Sequence, residues 1–172
     1  MDFSNIDIKD LACFVCKILL DAGIEAVLVG GACVSIYSHN LYQSYDLDFV
    51  SYQGLKLIEQ ALVKFGFVRN GRCFTRSDCP YVIDFVNPPV AIGHSPIRHF
   101  ATLTTPLGPL QLLTPTDCVK DRLASFFHWN DQQALEQALL VSRDHPIDLD
   151  EIKRWANEEK YLEKLQIFLV RR

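Results

Sequence analysis

Residues 46–50 read Asp-Leu-Asp-Phe-Val, an alternation of acidic and apolar side chains that has the two-residue period of a β-strand. Side chains at positions i and i+2 share one face of a strand, about 6.6 Å apart. We therefore expect Leu47 and Phe49 to face the core and Asp46 and Asp48 to share the other face. Two carboxylates held in this way repel each other unless a cation or basic groups lie between them. The pattern indicates either a divalent-metal site or an edge strand whose acids only face solvent.

A pair of glycines precedes this segment. Residues 26–30 form a short apolar run that predicts a buried strand, and Gly30 and Gly31 lead from it into a short predicted helix, ACVSIYSHN. Backbone N–H groups at such a turn can meet a phosphate, and glycine allows a close approach because it has no Cβ. A Gly-Gly pair is by itself most often only a turn, and the spacing fits neither the Walker A motif nor GxGxxG.

A third acid lies in a later apolar segment. Residues 81–86, YVIDFV, predict a strand that carries Asp84 among apolar neighbours. If this strand lies beside residues 46–50, Asp84 joins Asp46 and Asp48 on one face. Three carboxylates from adjacent strands can hold Mg²⁺ or Mn²⁺ and orient a hydroxyl for in-line attack on a phosphate. The alternative for Asp84 is an exposed strand residue.

The other segments predict an α/β (α+β) fold with a mixed sheet. Helical spacing over residues 8–22 and 53–65 ends at glycines, and Asn70-Gly71 predicts a hairpin between two short strands. Residues 99–106 and 108–115 predict a second hairpin. From residue 116 onward three segments are helical, each opened by Thr or Asp, with Trp129 and Trp155 expected between helices. We predict an α/β domain over residues 1–112 and a helical region over residues 113–172 packed on it.

Charge and hydropathy limit the classes of partner. The chain has 172 residues and a net charge of −4, so it has no global field that would attract nucleic acid. A polyanion would need a local patch, for which the candidates are Arg69, Arg72, Arg76, Arg98, Lys120 and Arg122. Of these, Arg69 and Arg72 are expected to be scattered, solvated side chains. The N-terminal residues do not resemble a signal peptide and no apolar run is long enough for a membrane span, so we expect a cytoplasmic protein with no membrane partner.

The six cysteines are expected to be reduced and to pack as small apolar side chains. Cys13 and Cys16 have the spacing of a metal-binding pair and could form a structural zinc site with Cys73 and Cys79. Against zinc, the pair lies in a helical pattern without a flanking turn, and the chain has no second CxxC.

The order strand, Gly-Gly, helix, Asp-x-Asp strand and later acidic strand resembles the DNA polymerase β-type nucleotidyltransferase superfamily. The resemblance rests on Gly30-Gly31, Asp46-Leu47-Asp48 and Asp84, with Ser44 two residues before the first Asp, where Ser or Thr is usual. It implies a Mg²⁺ or Mn²⁺ enzyme that binds an NTP such as ATP. Asp46, Asp48 and Asp84 would be catalytic and metal-binding, and Gly30, Gly31 and Ser44 would contact phosphates.

Within the superfamily the chain is similar to small bacterial AbiEii-like nucleotidyltransferases, several of which are toxins. Their helix after the sheet carries a Lys and a basic residue, which LTPTDCVKDRLASF matches with Asp117, Lys120 and Arg122. Lys120 and Arg122 would then bind the nucleotide, and Asp131 matches a later acid. The chain departs from many relatives at Tyr42, where they have Arg four residues before the first Asp.

These features predict a metal-dependent transfer of an NMP from an NTP to a hydroxyl acceptor, with release of pyrophosphate. The acceptor could be an RNA such as tRNA, a protein or a small molecule. The alternative is a binding module with the same fold and no turnover, such as a toxin–antitoxin or regulatory partner. A metal-dependent phosphohydrolase would usually add His ligands, and no His lies near either acidic strand. The apolar segment near the C-terminus could pack on its own domain or on a second subunit.

Overall fold

The computed structural model describes residues 2–172 and shows a mixed sheet with helices packed around it. The strands are β1 (Val27–Val29), β2 (Asp46–Val50), β3 (Val68–Asn70), β4 (Cys73–Thr75), β5 (Val82–Val86), β6 (Ala91–Ile92), β7 (Ser95–Pro96), β8 (Ala101–Thr105) and β9 (Gly108–Leu112). The helices are α1 (Ile8–Asp21), α2 (Gly31–Tyr37), α3 (Leu55–Leu62), α4 (Pro115–Trp129), α5 (Gln132–Asp144), α6 (Leu149–Glu158) and α7 (Leu162–Arg171). A 3₁₀ turn over Val63–Phe65 extends α3.

The main sheet has the strand order β3-β4-β5-β2-β1-β9-β8. Strand β2 lies at its centre, antiparallel to β1 and parallel to β5, and β1 is parallel to β9. The predicted mixed sheet and α/β class are confirmed. The strands β6 and β7 form a separate two-stranded hairpin that the sequence analysis did not predict.

One face of the central strands is apolar, because acidic and apolar side chains alternate along β2 as predicted for residues 46–50. Leu47 and Phe49 are fully buried, and their partners across β5, Ile83 and Phe85, are buried as well. Helix α1 packs against β8 and β9, and α2 packs against β1 and β2. The acidic residues are left on the opposite face of the same strands.

The C-terminal helices begin at capping side chains. Thr114 Oγ1 accepts a hydrogen bond from the Asp117 N–H at 3.1 Å, and Asp131 and Asp148 cap α5 and α6 in the same way. The segment after residue 148 was predicted as one helix but is two, because Lys160 takes a positive φ of 66° and ends α6. Helices α4 and α5 contact α2, and the domain boundary at residues 112 and 113 stays a prediction.

The two tryptophans have different environments. Trp155 is fully buried and stacks on Phe127 with ring centroids 5.5 Å apart, so its predicted packing role is confirmed. Trp129 is 83% exposed at the end of α4, so the same prediction for Trp129 is wrong. None of the helices within residues 2–172 is both long and apolar enough to cross a membrane.

Candidate active site

The first feature of the site is the register between β2 and β5. Asp48 pairs directly with Asp84 across the parallel ladder, and Asp46 lies two residues before Asp48 on the same strand. Directly paired residues of neighbouring strands project from the same face of a sheet. Val29 of β1 and Cys73 of β4 continue this row on either side. The structure therefore brings the three acids predicted from sequence onto one face.

The Gly-Gly turn lies against this row. Gly30 has φ +70° and ψ −152°, and a Cβ at this position would lie 2.6 Å from Asp48 Oδ2. Such a distance is a clash, so glycine is required here both by the backbone conformation and by the carboxylate. A Cβ at Gly31 would lie 3.2 Å from Ser44 Oγ and 3.5 Å from the Tyr42 ring. Tyr42, the departure from the related proteins, thus covers the first residue of α2.

Ser44 holds the approach to β2 in place. Its hydroxyl donates to the Asp46 carbonyl oxygen at 3.0 Å, and its N–H donates to Ser35 Oγ on α2 at 2.8 Å. These bonds connect the loop before the first acid to the helix that follows the glycines. The contact of Ser44 with a phosphate stays a prediction, and its observed bonds are to the chain itself.

Electrostatic strain is concentrated on Asp48. Burial raises the pKa of this carboxyl group, and the nearby carboxylates of Asp84 and then Asp46 raise it further. Arg122 opposes the shift and lowers the pKa. A cation placed on this face would reduce the repulsion between the carboxylates. This electrostatic behaviour is expected of a metal-binding carboxylate pair.

Asp84 is the most buried of the three acids, at 8% exposure. Its Oδ2 forms an ion pair with Arg72 Nη2 at 2.9 Å, whereas its buried Oδ1 has no hydrogen-bond partner. An unpartnered buried carboxylate oxygen is rare and costs about 1–3 kcal/mol. Oxygen donors of this kind suit Mg²⁺ or Mn²⁺, so the chemistry of these side chains matches the predicted cations.

The acids share a face but do not yet converge on a point. Within residues 2–172, no group of three or more His, Cys, Asp or Glu side chains is arranged so that it could hold a metal ion. The alternative zinc site is not formed in this part of the chain either. Cys13 and Cys16 are buried in α1, and burial raises the pKa of the Cys16 thiol to about 12, which disfavours the thiolate that zinc requires.

Lys120 and Arg122, predicted to bind the nucleotide together, project from different sides of α4. Residues two apart on a helix point in nearly opposite directions, so the two side chains cannot reach one phosphate together. Arg122 pairs with Asp121 and donates to Gln137 Oε1 at 3.3 Å, and its charge lowers the pKa of Asp48. The nucleotide-binding role of Arg122 remains a prediction.

Lys120 lies on the other side of α4. Its side chain is 3% exposed and forms ion pairs with Asp117 at 3.2 Å and with Glu151 of α6 at 2.9 Å. The charge of Lys120 is neutralised by these two carboxylates in an interhelical contact, and its nucleotide-binding role stays a prediction. Asp131, matched to a later acid of the relatives, is placed as the N-cap of α5.

Comparison of the whole chain with known proteins shows a similar fold in a solved structure but no match to a family model. No family model matches the sequence, and no curated protein matches it significantly. A solved structure that is similar is the antigenic nucleotidyltransferase-like protein from Paracoccidioides brasiliensis, with a TM-score of 0.62 and 14% sequence identity. The similarity covers 94% of this chain and 91% of the fungal protein. The chain has a nucleotidyltransferase-like fold. At this identity the similarity establishes the fold alone.

Sequence reasoning missed two neighbours of the acids, Arg72 and Cys73. Arg72 was expected to be a scattered solvated side chain, but it is the ion-pair partner of Asp84. The signal was present in the Asn70-Gly71 hairpin, because a tight turn there places Arg72 at the start of a strand beside YVIDFV. The side of YVIDFV on which that strand would pair was not apparent from the sequence.

Proposed function

We propose that this protein is a metal-dependent nucleotidyltransferase that moves an NMP from an NTP to a hydroxyl acceptor and releases pyrophosphate. The observation that carries the proposal is the direct pairing of Asp48 with Asp84, beside a glycine that leaves no room for a side chain. The nucleotidyltransferase-like fold supports it. Carboxylates aligned in this way, with a raised pKa at Asp48, are costly in a purely structural role and suit a site that binds cations.

Each residue has a role that its position allows. Asp46, Asp48 and Asp84 would hold Mg²⁺ or Mn²⁺, which when bound neutralises phosphate charge and orients the NTP. Asp84 would accept the proton of the attacking hydroxyl. Gly30 and Gly31 would let phosphate oxygens approach the backbone, with Ser44 nearby. Arg122 would add positive charge to a protein whose net charge is negative.

The finer assignment follows the resemblance given above. The proposed family type is AbiEii-like, with a toxin–antitoxin context and a cognate antitoxin or a second copy of the chain as partner. The donor is an NTP such as ATP, and the acceptor is a hydroxyl of an RNA such as tRNA, of a protein or of a small molecule. We propose a cytoplasmic location for this reaction, where NTPs and divalent cations are abundant.

One observation favours a second function, a non-catalytic binding module with the same fold. Arg72 occupies Oδ2 of Asp84, and the three carboxylates do not converge within the described residues 2–172. In a module without turnover this ion pair would be permanent and would keep cations out. The two functions differ in whether Mg²⁺ and an NTP bind at the acids.

The test is a thermal melt of the full chain with Mg²⁺ and each of the four NTPs. A ligand that binds only the folded protein raises the midpoint by mass action. We expect one NTP to raise it only when Mg²⁺ is present, and Asp46→Asn to abolish that shift. Asp150→Asn is the matched control, because the Asp150 side chain is 97% exposed on α6. If no NTP shifts the midpoint of the unaltered chain, the binding module is the better description.

A further inference from the structure

The ion pair between Arg72 and Asp84 has an unusual asymmetry. The carboxylate of Asp84 is 12% exposed at the side chain, whereas the guanidinium of Arg72 is 61% exposed and reaches it from the solvent side at 2.9 Å. An exposed Arg is free to leave, since water solvates it, but a buried carboxylate has no such alternative. While Asp84 is ionised, a cation at this position stabilises it, and the exposed Arg72 is the cation that the structure places there.

The backbone of Arg72 is anchored by a hydrogen bond, whereas its side chain is largely exposed. The Arg72 carbonyl oxygen accepts a hydrogen bond from the Phe85 N–H at 3.2 Å, directly next to Asp84 on β5. Cys73, the next residue, pairs with Asp84 across the antiparallel ladder. The Arg72 side chain thus extends from an anchored backbone position at the edge of the face that carries the three acids. It has no partner other than Asp84 in the ion pairs of residues 2–172.

The neighbouring arginine of the same hairpin behaves differently. Arg69 pairs with Glu59 of α3 at 3.0 Å and also donates to the Gly71 carbonyl oxygen at 2.7 Å. Its contacts connect the hairpin to a helix and involve none of the three acids. Arg69 is consequently a structural arginine and a matched control for Arg72.

We infer that Arg72 is an exchangeable counter-ion: it guards Asp84 in the metal-free protein, leaves when a divalent cation binds the acids, and then pairs with the phosphates of the donor. The inference rests on the proposed function and names a phosphate-binding residue for it. A guanidinium matches phosphate oxygens with two parallel hydrogen bonds, so the released side chain has a ligand within the same site. Oδ1 of Asp84 is buried and has no hydrogen-bond partner, so it can take a cation as its partner once the Arg72 side chain has moved away.

The first test measures cation binding without turnover. The full chain, Arg72→Gln and Arg69→Gln are titrated with Mn²⁺ alone by calorimetry, with thermal melts in parallel. Because Arg72 competes with the cation, we expect Arg72→Gln to lower the dissociation constant for Mn²⁺ by on the order of tenfold, about 1.4 kcal/mol. Its metal-free midpoint should fall, since Asp84 loses its partner. Arg69→Gln should lower the midpoint without changing the dissociation constant.

The second test follows the other half of the exchange. At saturating Mg²⁺, inorganic tripolyphosphate should bind Arg72→Gln on the order of tenfold more weakly than it binds the unaltered chain or Arg69→Gln. An unchanged or higher dissociation constant for Mn²⁺ in Arg72→Gln overturns the counter-ion role, and unchanged tripolyphosphate affinity overturns the transfer to phosphate.

These outcomes separate the inference from the function on which it rests. If the unaltered chain binds Mn²⁺ and Asp46→Asn does not, the metal site stands, and Arg72→Gln alone decides the inference. If neither the unaltered chain nor Arg72→Gln binds Mn²⁺, the acids are not a metal site and both proposals are wrong.

Discussion

Gly30 provides the sharpest test of the site's geometry, because two separate costs of Gly30→Ala can be measured apart. The first cost is conformational: φ +70° with ψ −152° lies in a region used almost only by glycine, worth about 1–3 kcal/mol for any other residue. The second is the clash of the new Cβ with Asp48 Oδ2, which would lie 2.6 Å away. Coupling between residues in contact is about 0.5–3 kcal/mol. The expected loss of unfolding free energy is therefore about 1.5–6 kcal/mol.

A double-mutant cycle isolates the clash. Asp48→Ala removes the offending oxygen, and the remaining Asp48 Cβ would lie 3.6 Å from the new Cβ, an ordinary contact. In this background Gly30→Ala should cost only the conformational part. Gly23→Ala is the control for positive φ, since Gly23 has φ +73° and nothing within 4 Å of its Cβ position. The unfolding free energies are measured by urea denaturation of all five proteins.

Two results would refute this reasoning. One is a loss in Gly30→Ala no larger than the loss in Gly23→Ala. The other is an unchanged cost of Gly30→Ala when Asp48 is Ala. Either result would mean that the carboxylate of Asp48 does not lie against the turn, and the proposed phosphate approach at Gly30 would lose its structural basis.

Three further predictions concern charge and packing. Because burial raises the folded-state pKa of Asp48 above its usual 3.8, the native state binds this proton more tightly than the unfolded state. In metal-free buffer Asp48→Asn should thus stabilise the protein at pH 7, by about 1 kcal/mol or less after solvent screening. The gain should shrink as the pH falls and vanish below about pH 3, where Asp48 is protonated in both states, and a gain that persists there would contradict the reasoning. Lys120→Met should lower the unfolding free energy by about 2–4 kcal/mol in urea denaturation, because Asp117 and Glu151 lose their shared cation. Lys153→Met is the control: Lys153 lies 3.7 Å from Asp150 in an exposed ion pair, so the loss should be less than about 0.5 kcal/mol. Equal losses in the two variants would contradict the burial of Lys120. Trp155→Ala should cost about 3–5 kcal/mol and Trp129→Ala almost nothing, which thermal melts can compare directly, and a large loss for Trp129→Ala would mean that its exposed position is wrong.

Local patterns were sufficient for most of the secondary structure. Residues 46–50 form a strand because their alternation places Leu47 and Phe49 in the core, and the predicted bounds are the observed ones. Gly23, Gly66 and Gly71 end elements because their positive φ values, +73°, +83° and +64°, are rare for other residues. The two-strand hairpin of β6 and β7 was missed since strands of two residues have no periodicity to detect.

Within the site, sequence determined which acids could meet, and tertiary structure decided what surrounds them. The two-residue period places Asp46 and Asp48 on one face whatever their neighbours are. Their pairing with Asp84, the approach of Gly30 and the ion pair of Arg72 depend on which strands become neighbours. The opposite directions of Lys120 and Arg122 follow from the helix period, but the burial of Lys120 against Glu151 of α6 depends on how α4 packs. Strand and helix periods are properties of consecutive residues, whereas these contacts join residues far apart in the chain, and burial in the folded protein selects them.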